Sequence, residues 1–271
     1  MVPARAQGFT LIELVIVIAI TGIVAAVGGI LISGTVGGYV DQDRRATLVA
    51  DGDRALRRMH REIRLALPNS IRVNDCAEGP CVQFLATAAG GRYREGPGPG
   101  AAQPEHRLRF NQADDSFNAT GSVGLANGSY DYYLSVYNTG QAGNDAWAGQ
   151  SMTPNRGVTI SDSSVPGEPR IELSQAHQFP LESPRQRFYL VEDPVAFVCR
   201  NGRLYRHAGY VLGDDPSSVS GSLLSGRIDS CGFEYAPGGS TRAGLLSMRL
   251  VLEEEEERVR LLHQTQVVNA P

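Results

Sequence analysis

Glu13 is the only ionisable side chain in an apolar run that extends from residue 9 to residue 32. A carboxylate at the centre of a membrane helix costs about 2.5–3.5 kcal/mol on insertion scales, so a cationic partner and a function are expected for it. The run is also longer than the roughly 20 apolar residues that a helix needs to cross a bilayer. The sequence therefore predicts one membrane span that carries a carboxylate.

Four cysteines form a second group of reactive side chains: Cys76, Cys81, Cys199 and Cys231. Four cysteines allow three disulfide connectivities. A turn at Gly79-Pro80 can bring Cys76 and Cys81 within bonding range, which leaves Cys199 to pair with Cys231. A zinc site is less favoured because structural zinc usually takes two closely spaced pairs and only one is present. We expect two disulfides, as is usual outside the cytoplasm.

Residues for catalysis are sparse. All 25 basic residues are arginine, so chemistry that needs a lysine is excluded. The five histidines are scattered, and the motifs of zinc peptidases, serine hydrolases and phosphate-binding loops are absent. His263 occupies a strand-like position, where we expect a structural histidine with satisfied hydrogen bonds rather than a ligand or base. We predict that the protein is not an enzyme, with no catalytic residue, no metal site and no cofactor.

Two charged stretches have competing interpretations. Seven arginines lie between residues 44 and 64, interleaved with acids. They could contact nucleic acid, but the nearby acids offset the charge and stacking aromatics are lacking, so we expect a solvated helix face with internal ion pairs and do not expect nucleic-acid binding. Residues 253–257 are five consecutive glutamates, which favour a solvated turn; a calcium site is the alternative, although alternating ligands and a turn glycine are missing.

The N-terminus has three interpretations. A secretory signal would use Arg5, the apolar run and the small residues at 24–26, but the run continues past that cleavage site. A plain membrane anchor would leave Glu13 without a role. The third interpretation removes the polar leader, residues 1–8. The sequence GFTLIE at residues 8–13 resembles the processing signal of type IV pilins and pseudopilins: a glycine before the cut, an aromatic new terminus and glutamate as the fifth mature residue.

This resemblance implies a processing pathway and an assembly role. A prepilin peptidase would cut between Gly8 and Phe9 and N-methylate Phe9. Glu13 would then face its own terminal amine or that of a neighbouring subunit, since one helical turn separates the two charges. The implied partners are other minor pilins, the major pilin, an inner-membrane assembly platform and membrane lipid. The body would lie in the periplasm.

The span is predicted to continue as one long helix. Leu48, Leu56, Met59, Ile63 and Leu67 form an apolar stripe, and Pro68 ends the pattern. Glycines between residues 28 and 38 suggest a flexible joint. We therefore expect a transmembrane and filament-core helix at residues 9–32 and its amphipathic continuation at 33–68.

Residues 69–271 are predicted to form an antiparallel β-rich body, so the fold class is α+β with a pilin-like long helix. Alternation at residues 246–252 and 259–267 predicts a hairpin closed by the glutamates. Further strands are expected at 82–86, 107–110, 130–137, 157–161, 170–173 and 187–199. Residues 90–104 and 138–156 are rich in turn formers and are expected to be loops, with Trp147 pinning the second one to the body.

A second resemblance covers the C-terminal half. The sequence is similar to the MshO-like minor pilins of the mannose-sensitive haemagglutinin (MSHA) pilus at RFYLVEDPV (187–195), LYR (204–206), GY (209–210), LLHQ (261–264) and VNAP (268–271). It implies a minor pilin that acts at pilus initiation or at the tip. One alternative is a J-type minor pseudopilin of type II secretion. Another is a tip adhesin whose loops bind glycan, a surface or DNA.

Overall fold

The computed structural model describes residues 10–96, 106–238, 243–255 and 257–267, with the backbone alone described at 30–37. One long helix, α1, spans Leu11–Ile63. Thirteen strands follow within the described ranges: β1 (Arg72–Cys76), β2 (Gly79–Arg92), β3 (Asp114–Asn118), β4 (Gly128–Tyr130), β5 (Tyr133–Val136), β6 (Val158–Ser161), β7 (Arg170–His177), β8 (Arg187–Arg200), β9 (Arg203–Ala208), β10 (Ser222–Ser225), β11 (Ile228–Ala236), β12 (Gly244–Glu254) and β13 (Glu257–Val267). All the paired strands are antiparallel, which confirms the α+β class.

Helix α1 has 53 residues and is therefore about 80 Å long. It is assigned as one helix through the glycines at which we expected a joint. The predicted stripe is confirmed, since its five residues, Leu48, Leu56, Met59, Ile63 and Leu67, are at most 3% exposed. Burying each such side chain stabilises the fold by about 1.5–3 kcal/mol.

The helix ends earlier than the expected residue 67. After Ile63 the backbone turns, and the Leu67 amide donates a hydrogen bond of 2.8 Å to the Leu85 carbonyl. Ala66 pairs with Ala86 as a β-bridge, and the Thr87 amide donates to the Leu65 carbonyl at 2.9 Å. The chain leaves the helix because these groups find partners on β2, so the amphipathic continuation predicted at 33–68 is helical only to 63.

The strands form three sheets. The first has the order β1-β2-β8-β9-β10, with β5 also paired to β8; the second is β11-β12-β13; the third is β3-β7-β6-β4. The first two sheets pack around the C-terminal part of α1 and share one core with it, which includes Leu48, Met59, Phe84, Phe197 and Leu250. The third sheet has a separate core around Phe117, Ile171 and Phe188. Among the described residues, the body therefore has two large packing centres and two smaller clusters, one around Leu67, Leu85 and Trp147 and one around Cys81 and Tyr210.

Most of the second core comes from an insertion between β2 and β8, residues 93–186, and β8 itself adds Phe188 and Leu190. The two strands have 14 residues each, and the last residue of β2, Arg92, is paired with the first residue of β8, Arg187. Both ends of the insertion are held together, because the Tyr93 amide donates to the Gln186 carbonyl at 2.7 Å. We call residues 93–186 the inserted lobe.

Three local expectations were wrong. Residues 107–110 are not a strand, and residues 131–132 interrupt the strand expected at 130–137. Gly79 and Pro80 lie inside β2, paired with Cys76 and Asp75, so the tight turn is Ala77-Glu78. Gly79 adopts φ +138°, and a Cβ there would lie within 2.4 Å of the Cys199 carbonyl oxygen, so it serves a close approach of β2 to β8 instead of a turn.

The C-terminal hairpin forms as predicted. Strands β12 and β13 pair without a register shift from Gly244 opposite Val267 to Glu254 opposite Glu257. Its inward face carries Leu246, Met248, Leu250, Leu252 and Val259, all buried in the first core. The alternating pattern was sufficient to predict it because one face of the hairpin is covered by α1 and the other faces solvent.

Candidate assembly site

The start of α1 is capped by the side chain of Thr10. Its Oγ1 accepts a hydrogen bond of 3.3 Å from the Glu13 amide, and its backbone is extended, as is usual for an N-cap residue. Thr and Glu three residues apart have the spacing of a capping box, in which the glutamate also reaches back towards the cap. The Thr10–Glu13 spacing was visible in the sequence, but the capping role was not part of our interpretation.

The first 19 residues of α1 have no cover from the body. Leu11–Gly29 is long and apolar enough to cross a membrane, with a mean hydropathy of 2.6, and none of it is buried in the protein. Ile12, Val17 and Ile23 are each more than half exposed. A contiguous apolar surface of this length needs lipid or other helices to cover it.

Glu13 lies on this uncovered segment. It is exposed and lies in the first turn of the helix. Within the described part of the chain, no cation forms an ion pair with its carboxylate. Gly8 and Phe9, the predicted processing residues, lie outside the described residues.

The comparison with family models identifies this end of the chain. Residues 3–35 match the model described as the prokaryotic N-terminal methylation motif. This stretch contains Gly8, Phe9 and Glu13 and most of the apolar segment. No curated protein and no solved structure matches the chain.

The methylation motif supports a type IV pilin-like or pseudopilin role, and with it methylation and contact with other pilins and a prepilin peptidase. The motif belongs to structural proteins, not to enzymes. The uncovered helix fits a membrane-anchored protein with a single span. The methylation motif and the candidate membrane span both include the apolar residues Leu11–Gly29, so the two findings point to the same segment.

Further along α1, the arginines form the ion pairs expected of a solvated helix face. Pairs within the helix are Arg44–Asp41, Arg54–Asp51, Arg57–Asp53 and Arg58–Glu62, at 2.8–3.6 Å. Exposed pairs of this kind contribute about 0–1 kcal/mol each. Their effect is to neutralise much of the arginine charge.

Two arginines reach the glutamate-rich turn of the hairpin. Arg44 pairs with Glu255 at 2.7 Å and Arg45 with Glu257 at 3.7 Å. The turn is therefore docked on α1 as well as solvated, which the sequence did not reveal. No group of three or more potential ligands in the described ranges is placed to hold a metal ion.

Gly52 allows α1 to approach the hairpin closely. A Cβ at Gly52 would lie 2.5 Å from Leu261 Cδ1 and 2.8 Å from Leu252 Cδ1. Together with the Arg45–Glu257 pair at one end and a His60–Thr265 hydrogen bond at the other, this contact aligns α1 with β13 in the same direction. We call this line of contacts the helix–hairpin seam.

His60 and His263 meet in the seam. Their ring centroids are 4.9 Å apart at an interplanar angle of 80°, and His60 Nδ1 lies 2.9 Å from Thr265 Oγ1. The Nε2 atom of His263 is buried and has no hydrogen-bond partner in the described part of the chain. The expectation of a fully satisfied His263 was therefore wrong: a neighbouring ring, not a hydrogen bond, covers it.

The segment that follows α1 is held by the inserted lobe. Trp147 Nε1 donates to the Ser70 carbonyl at 2.7 Å, and Asn138 Nδ2 donates to the Pro68 carbonyl at 2.7 Å. The guanidinium of Arg72 lies 4.9 Å from the Trp147 ring and pairs with Asp145 at 2.6 Å. Trp147 is only 9% exposed, so it pins the loop as predicted.

The cysteines form the pairs Cys76–Cys81 and Cys199–Cys231, with Cα separations of 5.8 and 6.5 Å. The first lies across the β1–β2 hairpin, and the second joins β8 to β11, so it ties the first sheet to the sheet that carries the helix–hairpin seam. Gln83 contacts Cys76 Sγ at 3.4 Å and accepts a hydrogen bond of 2.9 Å from Tyr210. Burial raises the pKa of Tyr210 above its ordinary value, so this hydroxyl remains a donor.

Proposed function

We propose that the protein is a minor pilin or minor pseudopilin that is processed between Gly8 and Phe9, N-methylated at Phe9 and assembled through α1. The observation that carries the proposal is the combination of the methylation motif with an uncovered apolar helix of 19 residues that contains one carboxylate. The protein would supply structure to a filament or its initiating complex and would perform no chemistry.

Glu13 would act as the docking charge. A carboxylate without a partner in the membrane is costly, and the methylated amine of Phe9 is a cation at the same depth. When a neighbouring subunit docks, its amine can pair with Glu13 and remove two unfavourable charges at once. Thr10 supports this role because it fixes the first turn, and with it the position of Glu13 relative to the new N-terminus.

The proposal places the body, from residue 69 onward, in the periplasm. Two disulfides support this placement because such bonds persist in oxidising compartments. The proposed processing removes residues 1–8, leaves the span at 9–32 and leaves the remainder of α1 as the stalk of the body. The proposed partners are prepilin peptidase, the major pilin, other minor pilins and an inner-membrane assembly platform.

For the filament, we propose an MshO-like role in an MSHA-type pilus, on the strength of the C-terminal sequence resemblance. A J-type role in type II secretion is the alternative. Deletion of the gene separates them: loss of surface pili with normal protein secretion supports the pilus, and loss of secretion with normal pili supports the pseudopilus.

A glycan- or DNA-binding tip is less well supported. One of its two candidate loops, residues 138–156, packs on the body, with Asn138, Asn144 and Ser151 at most 4% exposed. Much of the other, residues 97–105, lies outside the described residues.

Mass spectrometry of the mature N-terminus tests the proposal directly. The protein is purified from membranes of cells that contain a prepilin peptidase, and the same preparation is made from cells that lack it. We expect a chain that begins with methylated Phe9 in the first and an intact leader in the second. A terminus near Val27, or retention of Met1 in both, contradicts the proposal.

A further inference from the structure

The contact between His60 and His263 joins the last turn of α1 to β13. The two rings are 4.9 Å apart, and His60 Nδ1 lies 2.9 Å from Thr265 Oγ1. The contact lies next to the core that α1 shares with the first two sheets, since Met59 and Ile63, close to His60 in sequence, are fully buried. Thr265 itself is fully buried. Any change in this contact therefore acts on the packing of the hairpin against α1.

The charged groups around His60 are cationic. Arg61 and Arg64 on α1 interact unfavourably with a protonated His60, and His263 on β13 does the same. Glu62, the nearest acid in sequence, is turned away, because it pairs with Arg58 and with Arg206 of β9. Opposite the two β13 residues, β12 contributes Met248 and Leu246, which carry no charge. No described carboxylate is placed to neutralise a cation in this contact.

One effect acts in the other direction. His60 lies in the last turn of α1, where the helix dipole favours a cation. Burial, which is the largest influence, and the three cationic neighbours outweigh it, and together they lower the pKa of His60 below its ordinary value. A neutral imidazole is therefore the form that the seated hairpin prefers.

We propose that the His60–His263 contact is a pH-sensitive latch, which holds the hairpin on α1 while the His60 imidazole is neutral and loosens it when His60 gains a proton. The proposal is independent of the proposed function, because it concerns the seat of the hairpin and not the membrane segment.

The direction in which pH changes the stability of the seated hairpin follows from the difference in the pKa of His60 between the seated and released states. Above about pH 6.5, His60 is neutral in both the seated and the released state, so stability does not depend on its titration. As the pH falls through 6.5, the released state takes up a proton first, and the seated state loses stability until its own, lower pKa is reached. Acidification therefore favours release of β13.

Hydrogen exchange tests the latch on the full chain in detergent micelles at pH 7.5 and pH 5.5. Rates are corrected with an unfolded reference, and the protection of β13 peptides is compared with that of β8 peptides. We expect β13 protection to fall by up to about tenfold at pH 5.5, which is the limit that one titration over this interval sets, while β8 protection stays constant.

Two variants separate the latch from general acid sensitivity. His60→Gln keeps a hydrogen-bonding group near Thr265 but cannot gain a proton, so we expect it to remove the fall in β13 protection. His177→Gln is the matched control, because His177 also has an unpartnered buried Nε2 and packs edge-on against Phe179, but in the inserted lobe. That variant should keep the fall.

A second measurement holds even if the His60→Gln variant folds poorly. Histidine side chains of the unaltered protein are titrated by NMR, and we expect His60 to titrate below pH 6.5. The latch is refuted by an equal fall in the wild type and in a folded His60→Gln variant, by constant β13 protection in the wild type, or by titration of His60 at or above pH 6.5.

Discussion

At the level of single residues, Glu13 has two roles: its backbone amide takes part in the helix cap, and its carboxylate is the proposed docking charge. The Thr10 cap uses only the Glu13 backbone amide, which leaves the carboxylate available. The carboxylate is exposed on a helix segment that the body does not cover, so a partner must come from the N-terminus or from another molecule. Cap and docking charge can therefore be served by the same residue without conflict.

Replacing Glu13 with alanine tests the docking charge. We expect Glu13→Ala to be processed normally, because the cut lies before Phe9, and to enter filaments or pilin complexes poorly, because its neighbour's amine lacks a partner. Processing is measured by mass spectrometry and incorporation by immunoblotting of sheared filaments. Asp43→Ala is the control, since Asp43 is an exposed acid on the same helix. Normal incorporation of Glu13→Ala removes the proposed role.

Trp147 is bound to the segment after α1 by one hydrogen bond of its side chain. Its Nε1–H satisfies the Ser70 carbonyl, and Trp147→Phe keeps a ring at this position but leaves a buried carbonyl without that donor. We expect a loss of about 1–3 kcal/mol in the free energy of unfolding, measured by urea titration in detergent. Tyr189→Phe is the control because no described hydrogen bond uses the Tyr189 hydroxyl. A change below about 0.5 kcal/mol for Trp147→Phe shows that this bond contributes little.

At the scale of the elements, the seam between α1 and β13 has three parts: ion pairs at the glutamate-rich turn, close apolar packing at Gly52, and the histidine contact near the end of the helix. The first part is solvated and contributes little. The second excludes solvent and depends on shape. The packing at Gly52 is therefore expected to stabilise the seam most, while the histidines make it sensitive to pH.

Substitution of Gly52 tests this ranking. Gly52→Val places methyl groups against Leu261 and Leu252, so we expect a destabilisation of about 1–3 kcal/mol despite the better helix propensity of valine. Ala50→Val is the control, because Ala50 is exposed on the same helix and should change stability by less than about 1 kcal/mol. Both are measured by thermal unfolding of the full chain. Equal effects would mean that the close approach is not needed.

At the scale of the whole molecule, the strands of the first sheet cross α1. Ala86 of β2 pairs with Ala66 just beyond the helix end, Arg206 of β9 binds Glu62, and Ser225 of β10 donates to Asp51. The inserted lobe extends from β2 and β8, the part of the sheet at the C-terminal end of α1. It is therefore attached at the end of the helix that is farthest from the membrane segment.

The separate core of the inserted lobe predicts that the lobe is dispensable for folding of the remainder. Residues 94–185 are replaced by Asn-Gly, which can close β2 and β8 as a hairpin. We expect both disulfides to form and β13 to remain protected from exchange, with reduced stability because Leu67 and Leu85 lose the cover of Trp147. Peptide mapping without reduction and hydrogen exchange measure the two outcomes. Trp147→Ala in the full chain is the control, because it removes the Trp147 side chain from Leu67 and Leu85 and keeps the lobe. If the disulfides mispair in the deletion variant but not in this control, the remainder of the protein does not fold independently of the lobe.

Features that repeat at short range could be predicted from the sequence alone. The apolar run and Glu13, the stripe from Leu48 to Met59 and Ile63, and the alternation of β12 and β13 are all local patterns, because helix and strand periods relate residues two to four positions apart. The family of the N-terminal motif could be inferred for the same reason. The helix end was misplaced by four residues because partners on β2, not the helix pattern, decided it.

Contacts between residues far apart in the chain depend on how the elements pack. His60 and Thr265 are 205 positions apart and Trp147 and Ser70 are 77 apart, and no local period predicts such contacts. The same holds for Gly52, which the sequence presents as a weak point of a helix and the structure places against Leu261. Glu13 could be singled out because its chemistry conflicts with its neighbours in the chain; the latch could not, because its residues become neighbours only when the hairpin packs on the helix.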